Sequence, residues 1–270
     1  MFDGSFYPNS RARLAGFITS AMEGARVPAM ARRACAYVVP HAGYMYSGKT
    51  AAFTYRALRD NSGIGKIDTI VLVGPNHTGS GKPISVSMED WETPLGISIN
   101  DRELSAAIAG NSKLIEEDEL AHMNEHSLEV QLPFLRIVAP DKRVALICMG
   151  DQELDDSEAL SKSIIKAAES LKKKVIVVAS SDLNHYESAE IAKRKDSVLL
   201  EAAEALDYRR FNRLVHEVGD SACGFGPMTV AMSFAKRSGA TNGTVMKYCN
   251  SGDTNGDYGS VVAYSSISFG

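Results

Sequence analysis

The sequence has no cysteine pair spaced C-x-x-C; its four cysteines, Cys35, Cys148, Cys223 and Cys249, are scattered through 270 residues. That excludes a zinc ribbon and a disulfide framework, so each thiol must be read alone. Long apolar runs are also missing. The longest, such as Val175 to Ala179, are strand length and fall far short of the roughly 18 residues that cross a bilayer, so no membrane partner is expected. The opening Met1 to Pro8 has neither a basic head nor an apolar core behind it, which argues against a secretory signal and makes the cytoplasm the expected location. Basic runs end with Lys172, Lys173 and Lys174, and 29 Lys plus Arg against 33 Asp plus Glu leave a net charge of −4. Such a chain lacks the field of a nucleic-acid binder, so the expected partner is a small-molecule substrate or another protein. Repeats, low-complexity tracts and linker-like stretches are absent. With 44% hydrophobic and 23% charged residues a full core can be buried, and one domain over residues 1–270 is the economical reading.

What the sequence does contain is alternation. Short β-branched runs at 34–39, 69–73, 143–148, 174–179, 244–248 and 260–267 read as strands. Amphipathic stretches at 11–22, 48–58, 101–109, 126–138, 154–171, 188–206 and 227–237 read as helices. A hairpin or meander is expected over 84–99, where Trp91, Pro94 and Gly96 punctuate extended pieces. The pattern predicts a three-layer αβα domain of the α/β class around a mixed, largely parallel sheet.

In such sheets ligands bind beyond the carboxyl ends of the strands. Three of the six histidines fall just past an apolar run: His41 after Val39, His77 after Val73, and His185, with Asp182, after Ala179. A fourth candidate is the turn from Ser221 to Pro227, where Cys223 stands at a helix N-terminus whose dipole favours the thiolate. Cys35 and Cys148 lie in strands and read as small core residues, as does Cys249 at a strand end.

Three chemistries can be built from these groups. Two imidazoles and a thiolate make a three-ligand site compatible with Fe(II), Cu or Zn. Cys223 as nucleophile, with His185 as base and Asp182 as orienter, makes a cysteine hydrolase. Gly43 to Thr50 satisfies the G-x-x-x-x-G-K-[ST] phosphate-loop pattern, although bulky Tyr44, Met45 and Tyr46 fill its middle. Against all three stands the plain alternative that the histidines are satisfied structural residues.

Taken together these segments resemble the MEMO family, known in microbes as protein B of the AmmeMemoRadiSam system. The likeness runs through Gly4 to Pro8, Pro40 to Gly48, Gly74 to His77, Trp91 with Thr93 to Gly96, Glu125 to Phe134, Met149 to Gln152, Ser180 to Asp182 with His185 and Tyr186, and Cys223 to Pro227. It implies a metal site of His41, His77 and Cys223, with His185 and Asp182 beside it as acid/base groups. It also implies kinship with class III extradiol dioxygenases, in which two histidines and a glutamate hold Fe(II) in a three-layer αβα fold. The thiolate is a departure from that set, makes Cu or Zn more plausible and oxidises readily. Eukaryotic members resemble signalling adaptors, so a non-catalytic metal-binding or protein-interaction role is the alternative. The microbial name implies a functional link to a radical-SAM protein and the system's other component. His126 and Glu129, three apart on one helix face, could reach a ligand, but the preferred reading is a packing and hydrogen-bonding cluster at a helix start; His122 and His216 are read as surface residues. Phe6, Tyr7, Tyr44 and Tyr46 are candidate pocket walls.

Overall fold

A strand that is apolar at every position must be covered on both faces, whereas one with a wet face alternates. Four runs here are of the first kind, buried along their length except for Arg143 and Val175 at their starts. The computed structural model describes residues 2–28, 34–61 and 63–270, so Met1 of the opening motif lies outside the described residues. In chain order these form α1 (Arg11–Gly24), β1 (Ala36–Val39), α2 (Tyr44–Asn61), β2 (Thr69–Pro75), β3 (Ile84–Val86), β4 (Trp91–Thr93), β5 (Gly96–Ser98), α3 (Arg102–Gly110), β6 (Ile115–Glu117) and α4 (Leu132–Val138). After them come β7 (Arg143–Met149), α5 (Leu154–Leu171), β8 (Val175–Ser180), β9 (His185–Glu187), α6 (Ala189–Glu204), α7 (Tyr208–Val218), α8 (Phe225–Arg237), β10 (Gly243–Asn250), α9 (Gly252–Asn255) and β11 (Val261–Phe269).

The sheet runs β10, β11, β1, β8, β2, β7, β3, β6, with β9 added to β11. Its centre, β1 with β8, β2 and β7, is parallel; β11 and β3 flank that centre antiparallel, so the sheet is mixed. Alternate residues of the central strands face opposite layers. Tyr37, Val39, Ile70, Leu72 and Val178 pack with α1, α2 and α4 through Leu14, Ile18, Tyr55 and Phe134. Val38, Val71, Val73, Ile147 and Val177 pack with α3, α5, α7 and α8 through Ile108, Ile164, Phe211 and Met228. This is the expected three-layer αβα arrangement.

The expected hairpin resolves into β3, an inner strand of the large sheet, and a separate two-stranded ladder of β4 and β5. The helix expected from His126 begins instead with a 3-10 turn at Glu129–Gln131, because the chain before it is tied to β2: Ser127 Oγ donates to the Pro75 carbonyl at 3.1 Å. α7 was not expected, its apolar residues being diluted by Arg209, Arg210 and Arg213. Its ends are nonetheless written locally, by Asp207 accepting from the Arg210 amide and by Gly219 at φ 60°.

The phosphate-loop reading fails here. Residues 44–50 are the first turns of α2, and the amides that would cradle a phosphate are committed: Tyr44 donates to the Phe6 carbonyl at 2.7 Å, and Tyr46 and Ser47 donate to the Gly43 carbonyl at 2.8 and 3.1 Å. Tyr44 is buried with its hydroxyl on the Val130 carbonyl at 2.7 Å, and Thr50 Oγ1 faces Cys249 Sγ at 2.9 Å. Cys148 is buried in β7, as a small core residue should be, while Cys35 and Cys249 are half-buried.

Asp196 of α6 is wholly buried, accepting from the Asn184 amide at 3.1 Å and from the Tyr248 hydroxyl at 2.6 Å. Burial, then the neighbouring Asp220, pushes its carboxyl up to about 8; Lys195 and Glu187 also bear on the pair through Asp220. An unfolded aspartate titrates near 3.9. Between about pH 4 and 8 the folded chain therefore binds more protons here than the unfolded chain, and stability from this group falls as pH rises through that window. Thermal melts from pH 5 to 9 should show a shallower decline in Asp196→Asn, which mimics the protonated acid, than in wild type. Equal slopes would show that Asp196 is not a source of the pH dependence.

Candidate metal centre

Because β1, β8 and β2 are parallel neighbours, their carboxyl ends open on one edge, and each is followed within two residues by a polar side chain: His41, Asp182 and His77. The turn before the 3-10 segment brings in His126. One ring nitrogen from each of His41, His77 and His126 lies within 4.8 Å of the others. His126 is stacked between His77, with ring centroids 4.8 Å apart, and Phe6 at 4.4 Å. It thus packs as expected and also stands in the cluster, as the less favoured alternative for this residue allows. Cys223 Sγ lies 3.1 Å from His41 Nε2.

The partners of the imidazoles fix which nitrogen is free. Ser180 Oγ donates to the Ser127 carbonyl at 2.7 Å and accepts from Gln131 Nε2 at 3.0 Å. Toward His41 Nδ1, 2.9 Å away, it can therefore only accept, so the proton sits on Nδ1 and Nε2 keeps its lone pair. Tyr55 in turn donates to Gln131 Oε1 at 2.9 Å, locking the amide. His77 is set by Glu125: Oε1 faces Nδ1 at 2.9 Å and also takes the Ser127 amide, while Oε2 takes the His77 amide. Burial opposes the Glu125 charge, but these bonds outweigh it and pull the carboxyl down to about 2. His41 is held well below its ordinary value by burial and then by His77, His126 and His185; His126 is pushed down to about 4, chiefly by burial. Neutral imidazoles with one free nitrogen are the form a metal ion takes.

A family model described as Memo-like protein matches residues 1–268. The chain belongs to the Memo-like family. It is 39% identical over 265 residues to a MEMO1 family protein of Methanosarcina acetivorans and 41% identical to one of Methanococcoides burtonii, covering 98% of this chain and 96% of each relative. A MEMO1 family protein of Desulfurococcus amylolyticus is 40% identical with the same coverage. Among solved structures, an uncharacterised protein of Escherichia coli K12 superposes with a TM-score of 0.55 at 12% identity, over 88% of this chain and all of that one, a likeness of fold alone.

In this Memo-like chain the expected ligands occupy different positions relative to one another. His41 and His77 converge together with His126; Cys223 Sγ lies 3.1 Å from His41 Nε2 but is not part of the group whose donor atoms all lie within 4.8 Å of one another. Its surroundings still suit a cation. Metal–nitrogen and metal–sulfur bonds of about 2.0 and 2.3 Å meeting at a right angle separate the two donors by about 3.1 Å, which is the His41–Cys223 spacing. The turn carrying Cys223 is held by Gln152, which donates to the Cys223 carbonyl and accepts from the Gly226 amide, both at 2.9 Å. Gly224 lets α8 start against β8, since a Cβ there would lie 2.4 Å from the Ser180 carbonyl oxygen.

The thiolate expectation at Cys223 is corrected: burial and then Asp182 push this thiol well above its usual value, so the helix terminus does not ionise it. The triad with His185 is corrected as well, because the imidazole at the sulfur is His41. Asp182 is buried and accepts from the His41 amide at 2.8 Å and the Ala42 amide at 3.4 Å; burial nevertheless pushes its carboxyl up to about 7. His185 opens β9, its amide donating to Ser221 Oγ at 2.8 Å, and burial lowers its titration. Glu129 does not reach the cluster as a donor: it anchors the opening segment through the Tyr7 hydroxyl at 2.7 Å and the Phe2 amide. His122 is no surface residue. It is 6% exposed against the Trp91 ring, while His216 is exposed beside Glu153.

Glu125→Gln leaves one acceptor oxygen where two are used, and loss of such an orienting partner costs about 10–100-fold in metal affinity. Competition of Fe(II) or Zn against a chromophoric chelator should show that loss with the melting temperature little changed. Unaltered affinity would remove Glu125 from the role of setting His77.

Proposed function

We propose that this protein binds a single metal ion, Fe(II) first and Cu or Zn second, through His41, His77 and Cys223, and with iron bound acts as a non-haem oxidoreductase of the class III extradiol dioxygenase type. The observation that supports this most directly is the pair of imidazoles, His41 and His77, whose Nδ1 atoms are engaged by Ser180 and Glu125, with a sulfur 3.1 Å from His41 Nε2. When bound, iron would supply Lewis acidity and one-electron chemistry toward oxygen. The chain's own groups would do the rest. His185, neutral near pH 7 and with its buried Nδ1 free of a hydrogen-bond partner among the described residues, would take a proton from a hydroxyl of a small aromatic or redox-active substrate. Asp182 would hold His41 in place through its amide and carry the proton that burial keeps on it. A cytoplasmic setting and a functional link to a radical-SAM protein and the other AmmeMemoRadiSam component belong to the same reading. The unbroken match over 1–268 supports treating the chain as one domain.

A second reading is favoured by the convergence of three ring nitrogens: His126 in place of Cys223 as third ligand, with the protein binding metal without turnover, as an adaptor would. Anaerobic purification followed by elemental analysis separates the two. The first reading expects stoichiometric iron in wild type and His126→Ala, at least a tenfold loss in Cys223→Ser, and none in the His41→Ala, His77→Ala double variant. Loss in His126→Ala with retention in Cys223→Ser supports the second; retention in the double variant overturns both. His185→Ala should keep its metal and lose oxygen uptake with catechols by about 100-fold or more. Oxygen uptake that survives in this variant would exclude His185 as the proton acceptor.

A further inference from the structure

α1, α2 and β10 enclose a cavity of about 440 Å³ that shares no lining residue with the histidine cluster. Its apolar wall is made by Phe17 and Ala21 of α1 and Phe53 of α2; Ser20 adds a hydroxyl, and Lys49 and Lys247 stand at it from α2 and β10. The wall is built into the helix packing. A Cβ on Gly48 would come within 2.7 Å of the Phe17 ring, so glycine at that position lets the ring lie against α2, where it also meets Tyr44 at 5.6 Å between centroids. Lys49 is the lysine of the phosphate-loop-like stretch. With that stretch helical, its side chain is carried into this hollow, away from any glycine-rich loop.

Both lysines are exposed, and among the described residues neither ammonium has an ion-pair or hydrogen-bond partner. Two unpaired cations from separate elements, converging on a hollow floored by two phenyl rings, select a ligand with an apolar body and an anionic head. The body gains by leaving water against the rings, and the head gains from charges whose attraction is strengthened beside a low-dielectric wall. The volume lies in the range of small-molecule sites, roughly 300–1,000 Å³. A nucleoside triphosphate is disfavoured because, among the described residues, the hollow is lined by residues of two helices and one strand, with no helix N-terminus or glycine-rich loop to cradle its phosphates.

We propose that this cavity is a binding site for a small aromatic carboxylate, separate from the metal centre. Isothermal titration of the full chain with three probes of matched shape tests it: 1-naphthoate, neutral 1-naphthalenemethanol and cationic 1-naphthylmethylammonium. The expected order is anion, then neutral, then cation, with saturable one-to-one binding of the anion. Lys49→Glu with Lys247→Glu should weaken naphthoate at least tenfold and leave the neutral probe unchanged, both positions being exposed. Ser20→Trp, which fills the hollow, should abolish binding of both while the melting temperature holds. Reversal of Lys66 and Lys172 elsewhere on the surface should change nothing. The proposal is overturned if naphthoate does not saturate by millimolar concentration, if the double charge reversal leaves its affinity intact, or if the cation binds as well as the anion.

Discussion

The side-by-side parallel pairing of β1, β8 and β2 is the constraint on which the site depends. Val39 pairs with Ser180 and Val73 with Ala179, so the chain leaves the sheet three times at nearly one level. Shift any of these registers by one residue and every side chain changes face, moving core residues into the site and the reverse. Asp182 reinforces the alignment across the gap the sheet leaves, since a carboxylate carried by β8's loop accepts the amides that open the loop of β1. The same residue is therefore part of the fold and of the site's surroundings, and its burial is the cost of joining the two.

Around that edge the protein spends its buried polar groups on orientation. Tyr55, Gln131, Ser180 and His41 form one chain of hydrogen bonds, and Gln131 Nε2 also donates to the Pro40 carbonyl at 3.1 Å. Glu125 does the corresponding work for His77 with both oxygens committed. A half-satisfied network of this kind would be worse than an apolar core, because each orphaned group would carry its full desolvation cost. Its completeness around the first two imidazoles explains why their rings are held.

The parts legible in the sequence were those where a local signal and the tertiary outcome coincide. Apolar runs without alternation announced strands covered on both faces, and the polar residues just past them marked His41, His77, Asp182 and His185. Less was legible wherever a distant contact decides. Nothing local says that Ser127 will be tied to the end of β2, so neither the late start of α4 nor the arrival of His126 beside His77 could be read from spacing. Glu125, Gln131 and Ser180 were equally hidden, since a partner that acts through a histidine leaves no periodic trace. The stretch from Gly43 to Thr50 is the opposite case: a local pattern that matched, overruled because burying Tyr44 and packing Phe17 on Gly48 favour a helix. At Cys223 a helix terminus promised ionisation, and burial won because the dipole's pull, about 0.3–1 kcal/mol at the surface, is small against desolvating a thiolate.

The third position of the proposed centre turns on a competition between packing and chemistry. His126 lies nearly parallel to His77, at 20°, and packs on Phe6 with 4.4 Å between centroids, so turning its ring to share an ion with His77 would give up those contacts. Cys223 faces no such conflict. Its sulfur already sits at ligand spacing from His41 Nε2, its contact to the Asp182 carbonyl is a long 3.7 Å, and Gln152 holds its turn by the backbone. Closing the remaining gap to the ion then asks for rotation about one Cα–Cβ bond, whereas His126 must give up two aromatic contacts. On that balance the softer donor is the easier one to recruit, which is why sulfur, the departure from the dioxygenase ligand set, is the donor most able to decide what chemistry the site carries.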